Sequence, residues 1–239
     1  MSQRVSQGAM DDVVPRPEVG ACYSHAWRVM KKYVLEVFLV TVVVLMVSLP
    51  GWALMDSDDN VGHGNDVLAI LGVLYVILLT RPFKYGASFA FLKAARDEQV
   101  KVKDMFDFLK NYLNVVLANL FVCVIVILGL VLFIVPGIVF ACRLSFTPFL
   151  VVERRMEAVE AVKESWRLTG GFAWTIFLIA LVAIPISVLG LACLGVGFIG
   201  AMMWIGLAHS SLYYSVTQAK GVGSSRVEPG GRAEAVFSL

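Results

Sequence analysis

The chain has 239 residues, of which 59% are hydrophobic and 16% charged, against about 45–50% and about 25% in a soluble globular domain. Such a composition excludes an ordinary soluble enzyme, and a formal net charge of +2 gives no footing for nucleic acid. A membrane-spanning helix takes about 20 apolar residues, so six of them fill about half the chain and leave one domain with short tails.

In chain order, residues 1–20 hold Gly8, Pro15 and Pro17 among mixed charges and read as a flexible tail. No cleavable leader is expected, because mostly polar residues precede the first apolar run. That run, 33–55, ends near Pro50 and Trp52, and an acidic loop with Asp56, Asp58 and Asn60 follows. The second span, 67–92, contains Pro82 between Arg81 and Lys84, which predicts a kink near its inner end. A third span over 111–134 turns back at Val135-Pro136-Gly137 into a short fourth, 137–152. The fifth, 172–190, carries Pro185, and the sixth covers 197–218. Residues 219–239 are Gly/Ser-rich and read as a disordered tail, leaving 21–218 as the membrane domain.

The basic residues sort by segment. Residues 1–32, 93–110, 153–171 and 219–239 hold five, five, four and three Lys/Arg, seventeen of the twenty. Only Arg81, Lys84 and Arg143 fall elsewhere, and the gaps 56–66, 134–137 and 190–197 hold none. Lys and Arg are retained on the cytoplasmic side, so this pattern predicts an all-α, six-span bundle in the cytoplasmic (inner) membrane with both ends inside.

A short amphipathic run leads into each odd-numbered span. Tyr23, Trp27 and Met30 lie opposite Ser24, Arg28 and Lys31. Met105, Phe108 or Leu109, and Tyr112 lie opposite Lys103, Asp107 and Lys110. Met156, Val159, Val162 and Trp166 lie opposite Glu157, Glu160, Glu164 and Arg167. Such runs are expected in the headgroup plane with the apolar face down. The first and third align without gaps, AWRVMKKYVLEVFL (26–39) over SWRLTGGFAWTIFL (165–178). The even spans share a weaker pattern in GASFAFL (86–92), RLSFTPFL (143–150) and HSSLYY (209–214). Together these predict three related hairpins about an axis along the membrane normal. The alternative is that Trp, Arg and aromatics collect at any membrane interface.

Pro136-Gly137-Ile138, Arg143, Ser145-Phe146, Glu153, Ser165 and Gly170, with FKYGASFAFLKAARDEQVKVKDMFDFL upstream, carry a resemblance over about residues 20–218. There the chain resembles a bacterial integral-membrane family, the membrane domain joined to some glycerophosphoryl diester phosphodiesterases and its stand-alone relatives of unknown function. The resemblance implies an all-helical six-span bundle. It implies no catalytic residues, because the phosphodiesterase chemistry belongs to a separate soluble barrel.

Motifs that could carry chemistry are weak. Gly195–Gly200 spells GxGxxG, but between two spans and with no acid about 20 residues on, so close helix packing through Gly197 and Ala201 is the better reading. Asp56, Asp58 and Asn60 begin like a calcium loop, yet Gly62 falls one place late and Val67 stands where the bidentate Glu belongs. The cysteines Cys22, Cys123, Cys142 and Cys193 lack metal-ligand spacing and read as packing residues, so neither metal nor cofactor is expected. His209 and Ser210 are adjacent on a helix and point about 100° apart, so hydrogen bonding between helices is the expected role of His209.

Arg143 stands out, six residues past the outer turn and about 9 Å along a helix. It could snorkel to phosphate, pair with backbone carbonyls or another polar group (Asp66 being the best acid), or line a transport path. Arg81, Lys84, Lys93 and Arg96 form an expected inner basic belt facing anionic headgroups. Two functions follow. The first is a non-enzymatic membrane protein associated with lipid or with another membrane protein. The second is a small transporter or channel using Arg143 and the Pro-kinked spans. A membrane-embedded enzyme ranks last, for want of paired carboxylates, metal ligands or a nucleophile–base pair.

Overall fold

The computed structural model describes residues 15–55, 65–192 and 196–221, which form helices and short connections with no strand among them. The acidic loop at 56–64, Cys193, Gly195, most of the N-terminal tail and most of the C-terminal tail lie outside the described residues.

The helices are α1 (Val19–Lys32), α2 (Val34–Met55), α3 (Asn65–Tyr75), α4 (Arg81–Ala95), α5 (Tyr112–Leu132), α6 (Ile134–Arg143), α7 (Thr147–Glu153), α8 (Ala158–Leu168), α9 (Ala173–Ala192) and α10 (Val196–Ala219). A π-helical turn, Val76–Thr80, joins α3 to α4, and a 3₁₀ segment, Val102–Asn111, precedes α5. Five stretches are long and apolar enough to cross a membrane: Val34–Gly51, Ile70–Ala95, Val102–Leu132, Val135–Glu153 and Ala173–Ala192. The 24 residues of α10 reach about 36 Å, but its second half carries His209, Ser210, Ser211, Ser215 and Thr217, and it is not among the five.

Two sequence-predicted spans are interrupted. Pro82 has no N–H for the carbonyl of Leu78, four residues back, and that carbonyl accepts the Tyr112 hydroxyl at 2.6 Å instead. The interruption is thus the π turn just before Pro82. The fourth span is not continuous but breaks at 144–146, between α6 and α7.

One packing arrangement recurs three times. Each short leading segment packs on a helix that closes a unit: α1 on α10, the 3₁₀ segment on α4, and α8 on the short α7. Each leading segment also carries an aromatic pair, Trp27–Trp204 to α10, Phe106–Phe83 to α4 and Trp166–Phe140 to α6, just before α7, with ring centroids 5.4, 5.9 and 5.6 Å apart. The residue before each leading aromatic (Ala26, Met105, Ser165) is fully buried, and the one two places after it (Val29, Phe108, Leu168) is buried too. Each closing helix ends two residues before a left-handed position: Asp97 (φ 60°), Arg155 (φ 50°) and Gly221 (φ 67°). The likeness between 26–39 and 165–178 is therefore a likeness of burial as well as of letters.

Which face of each leading segment packs on the protein is set by the fold. On α8 the inward stripe is Ala158, Ala161, Ser165 and Leu168, while Val159 and Trp166 face outward. Small side chains bring α8 close to α5 and α7, and the large apolar ones are left for the surroundings. In the 3₁₀ segment, of Phe108 and Leu109, Phe108 is buried and Leu109 exposed, because a three-residue repeat pairs Phe108 with Met105.

Candidate ligand cavity

A cavity of about 550 Å³ lies where the closing helices converge. Its walls come from equivalent positions of the three units. One residue after Phe83, Phe140 and Trp204 stand Lys84, Ala141 and Ile205; five residues after stand Ser88, Ser145 and His209, and all six line the cavity. Thr41 and Val44 of α2 and Ala180 and Ala183 of α9 line it too, and these pairs match when the 26–39 and 165–178 alignment is extended. The lining is overwhelmingly apolar. Lys84 is its one Lys, Arg, Asp or Glu, and no acid pairs with it among the described residues.

The break between α6 and α7 supplies one wall. His209 Nε2 lies 3.4 Å from the Ser145 carbonyl, an arrangement that needs the proton on Nε2. The imidazole stacks on Phe149 and meets Phe146 edge-on. Arg143 Nε, Ser145 Oγ and Thr147 Oγ1 are buried without a hydrogen-bond partner among the described residues. Nonhelical backbone at membrane depth is tolerated where it lines a cavity, and this break does so through Ser145.

Arg143 points elsewhere. Its guanidinium lies 4.7 Å from the Trp166 ring on α8, and its carbonyl accepts Ser165 Oγ at 2.9 Å and Thr169 Oγ1 at 3.1 Å. It therefore belongs with the segment leading into α9, at the end of α6 far from the turn at Phe133. The side chain of Asp66, the acid first considered for it, lies outside the described residues.

The expected basic belt divides. Lys93 pairs with Asp104 at 3.1 Å, and Arg96 pairs with Glu153, whose other oxygen accepts the Tyr213 hydroxyl at 2.8 Å. Lys84 is nine residues from Lys93, about 14 Å along α4, and lines the cavity while remaining exposed, as is Arg81 one turn further on. Sequence reasoning found all four cations but not the acids of Lys93 and Arg96, which come from other segments.

A Ser–His contact does exist, though not the adjacent pair. Ser210 Oγ donates to the Gly206 carbonyl at 3.0 Å, whereas Ser211 Oγ lies 3.0 Å from Nδ1 of His25 on α1. Both Ser211 and His25 are buried and outside the cavity lining. Burial, and secondarily the Arg28 charge, lowers the His25 pKa, with Asp97 opposing. No group of three His, Cys, Asp or Glu side chains placed to hold a metal occurs among the described residues.

No family model, curated protein or solved structure matches this chain.

Proposed function

We propose that this is a six-span protein of the cytoplasmic membrane, both ends inside, that holds an anionic lipid in its central cavity and performs no chemistry on it. The observation that carries this reading is Lys84, an acid-free cation on the wall of an apolar cavity of about 550 Å³. An apolar chamber of that size suits an acyl chain, and an exposed ammonium at its wall suits the anionic headgroup of that chain. Ser88, Ser145 and His209 add polar atoms that can orient a headgroup. The exposed apolar side chains along α2, α5 and α9 support a bilayer setting, and the distribution of Lys and Arg supports the orientation. Membership of the phosphodiesterase-associated membrane family belongs to the same proposal and fits the non-enzymatic reading.

Native mass spectrometry of protein taken from phosphatidylglycerol-containing nanodiscs tests it. Wild type is expected to retain one tightly held anionic lipid and Lys84→Gln to lose it; equal retention by both sinks the proposal.

A second reading, a small transporter, is favoured by the helix break at 144–146 and its unsatisfied polar atoms. Solute flux in proteoliposomes, abolished by filling the cavity through Gly206→Trp, would select it over static lipid binding.

A further inference from the structure

A second apolar groove, of about 270 Å³, runs between α6 and α9 and is separate from the central cavity except for a shared wall at Cys142. We infer that it is a phospholipid site, with one acyl chain in the groove and the anionic headgroup on Arg143. On α6 the groove is lined by Val135, Ile138, Val139 and Cys142, the spacing of one helix face. Arg143 comes four residues after Val139, one turn further along the edge of that face. The opposite wall is Trp174 and Phe177, whose rings stack with centroids 5.4 Å apart.

The occupant follows from charge and setting. Arg143 has no acid partner among the described residues, and its Nε is buried without an acceptor. Trp166 covers one face of the guanidinium and leaves its in-plane donors to be satisfied, which a phosphate does bidentately. Val135 and Trp174 are 72% and 70% exposed at the groove mouth, so the groove opens toward the apolar surroundings of the bundle rather than into its core. A charge held against apolar surface, with an acyl-width channel beside it, matches an anionic phospholipid. The equivalent positions in the other units are Gly86 and Leu207, so the device occurs once in the three.

This site does not depend on the central cavity. The test uses full-length protein in nanodiscs carrying phosphatidylglycerol with a diazirine in one acyl chain, or the phosphatidylcholine equivalent. After irradiation the labelled peptides are mapped. Labelling is expected within 135–142 and 174–177, stronger with the anionic lipid. It should fall about tenfold in Arg143→Ala, the weight of one charge-assisted hydrogen bond. Arg143→Lys should retain an intermediate level, and Val139→Trp, which fills the groove and leaves Arg143 in place, should abolish labelling with helicity unchanged. Lys84→Gln should not change it, which separates this site from the central one. Equal labelling in wild type, Arg143→Ala and Val139→Trp, or equal labelling by the two lipids, would overturn the inference.

Discussion

Ser165 on α8 donates its hydroxyl to the backbone carbonyl of Arg143, the last residue of α6, at 2.9 Å. In an unbroken helix that carbonyl would take the N–H of Thr147, but this N–H turns to Leu144 at 3.1 Å. The helix break is thus held from outside, by Ser165 and, at 3.1 Å, Thr169. Ser165→Ala should cost about 1 kcal/mol because Thr169 remains, and the Ser165→Ala/Thr169→Ala pair about 2–3 kcal/mol, since a buried carbonyl is then orphaned. Denaturant titration in detergent with a tryptophan signal measures both. Additive, small losses would show that the break does not need α8.

Gly86 is a contact point between units. A Cβ there would stand 1.9 Å from the Met105 carbonyl oxygen of the 3₁₀ segment. That neighbour is backbone and cannot swing aside, so Gly86→Ala should destabilise by about 3 kcal/mol or more. The thermal midpoint in detergent reads this directly, and a near-neutral result would contradict the close approach.

The Arg96–Glu153–Tyr213 cluster joins the ends of α4, α7 and α10. Glu153→Ala leaves both the guanidinium and the Tyr213 hydroxyl without their acceptor and should cost about 2–3 kcal/mol. Glu153→Gln, which still accepts from Tyr213, should cost less. A double-mutant cycle with Arg96→Ala should give a coupling of about 1 kcal/mol or more; zero coupling would make the contact incidental.

His25 gives a pH dependence of known sign. Its ordinary value is 6.5, and in the fold burial lowers it. The unfolded chain therefore takes up the proton first as pH falls. The stability that neutral His25 contributes is complete above pH 6.5 and is lost as pH drops from there through the lowered native value. A thermal midpoint followed from pH 8 down to about pH 5 should decline across that interval. His25→Gln should flatten the decline; an unchanged slope would place its origin elsewhere.

The helices themselves were legible in the sequence, because an apolar run of some 20 residues has few other fates. Val34, Tyr112 and Ala173 begin helices within one residue of the sequence reading. The break after Arg143 had one local signal, Pro148, which has no N–H for the carbonyl of Leu144 four residues back, but the span was read as continuous. What holds the break is 22 and 26 residues away, on α8 and at its C-cap. The same distance hid the acids: Arg96 and Glu153 are 57 positions apart, and nothing local in either segment marks the other. Periodicity marked the Val159–Trp166 face of α8 as the apolar one, expected down in the headgroup plane, and gave no sign of the smaller stripe headed by Ala158 that packs on the protein. Hydrophobicity ranks residues by aversion to water; where the surroundings are apolar too, fit decides which face is buried. Arg143 stood out in the sequence as a charge within an apolar span, but its direction depended on Trp166, which only the fold supplies.

The central claim is that an anionic lipid occupies the cavity beside Lys84. The most direct measurement is a cryo-EM map of the protein in nanodiscs containing phosphatidylglycerol, at a resolution that shows side chains. The expected result is elongated density along Phe91 and Ala183 ending in a headgroup against Lys84 and Ser88. A cavity closed by its own side chains, or Lys84 paired with a carboxylate of the protein, would contradict it.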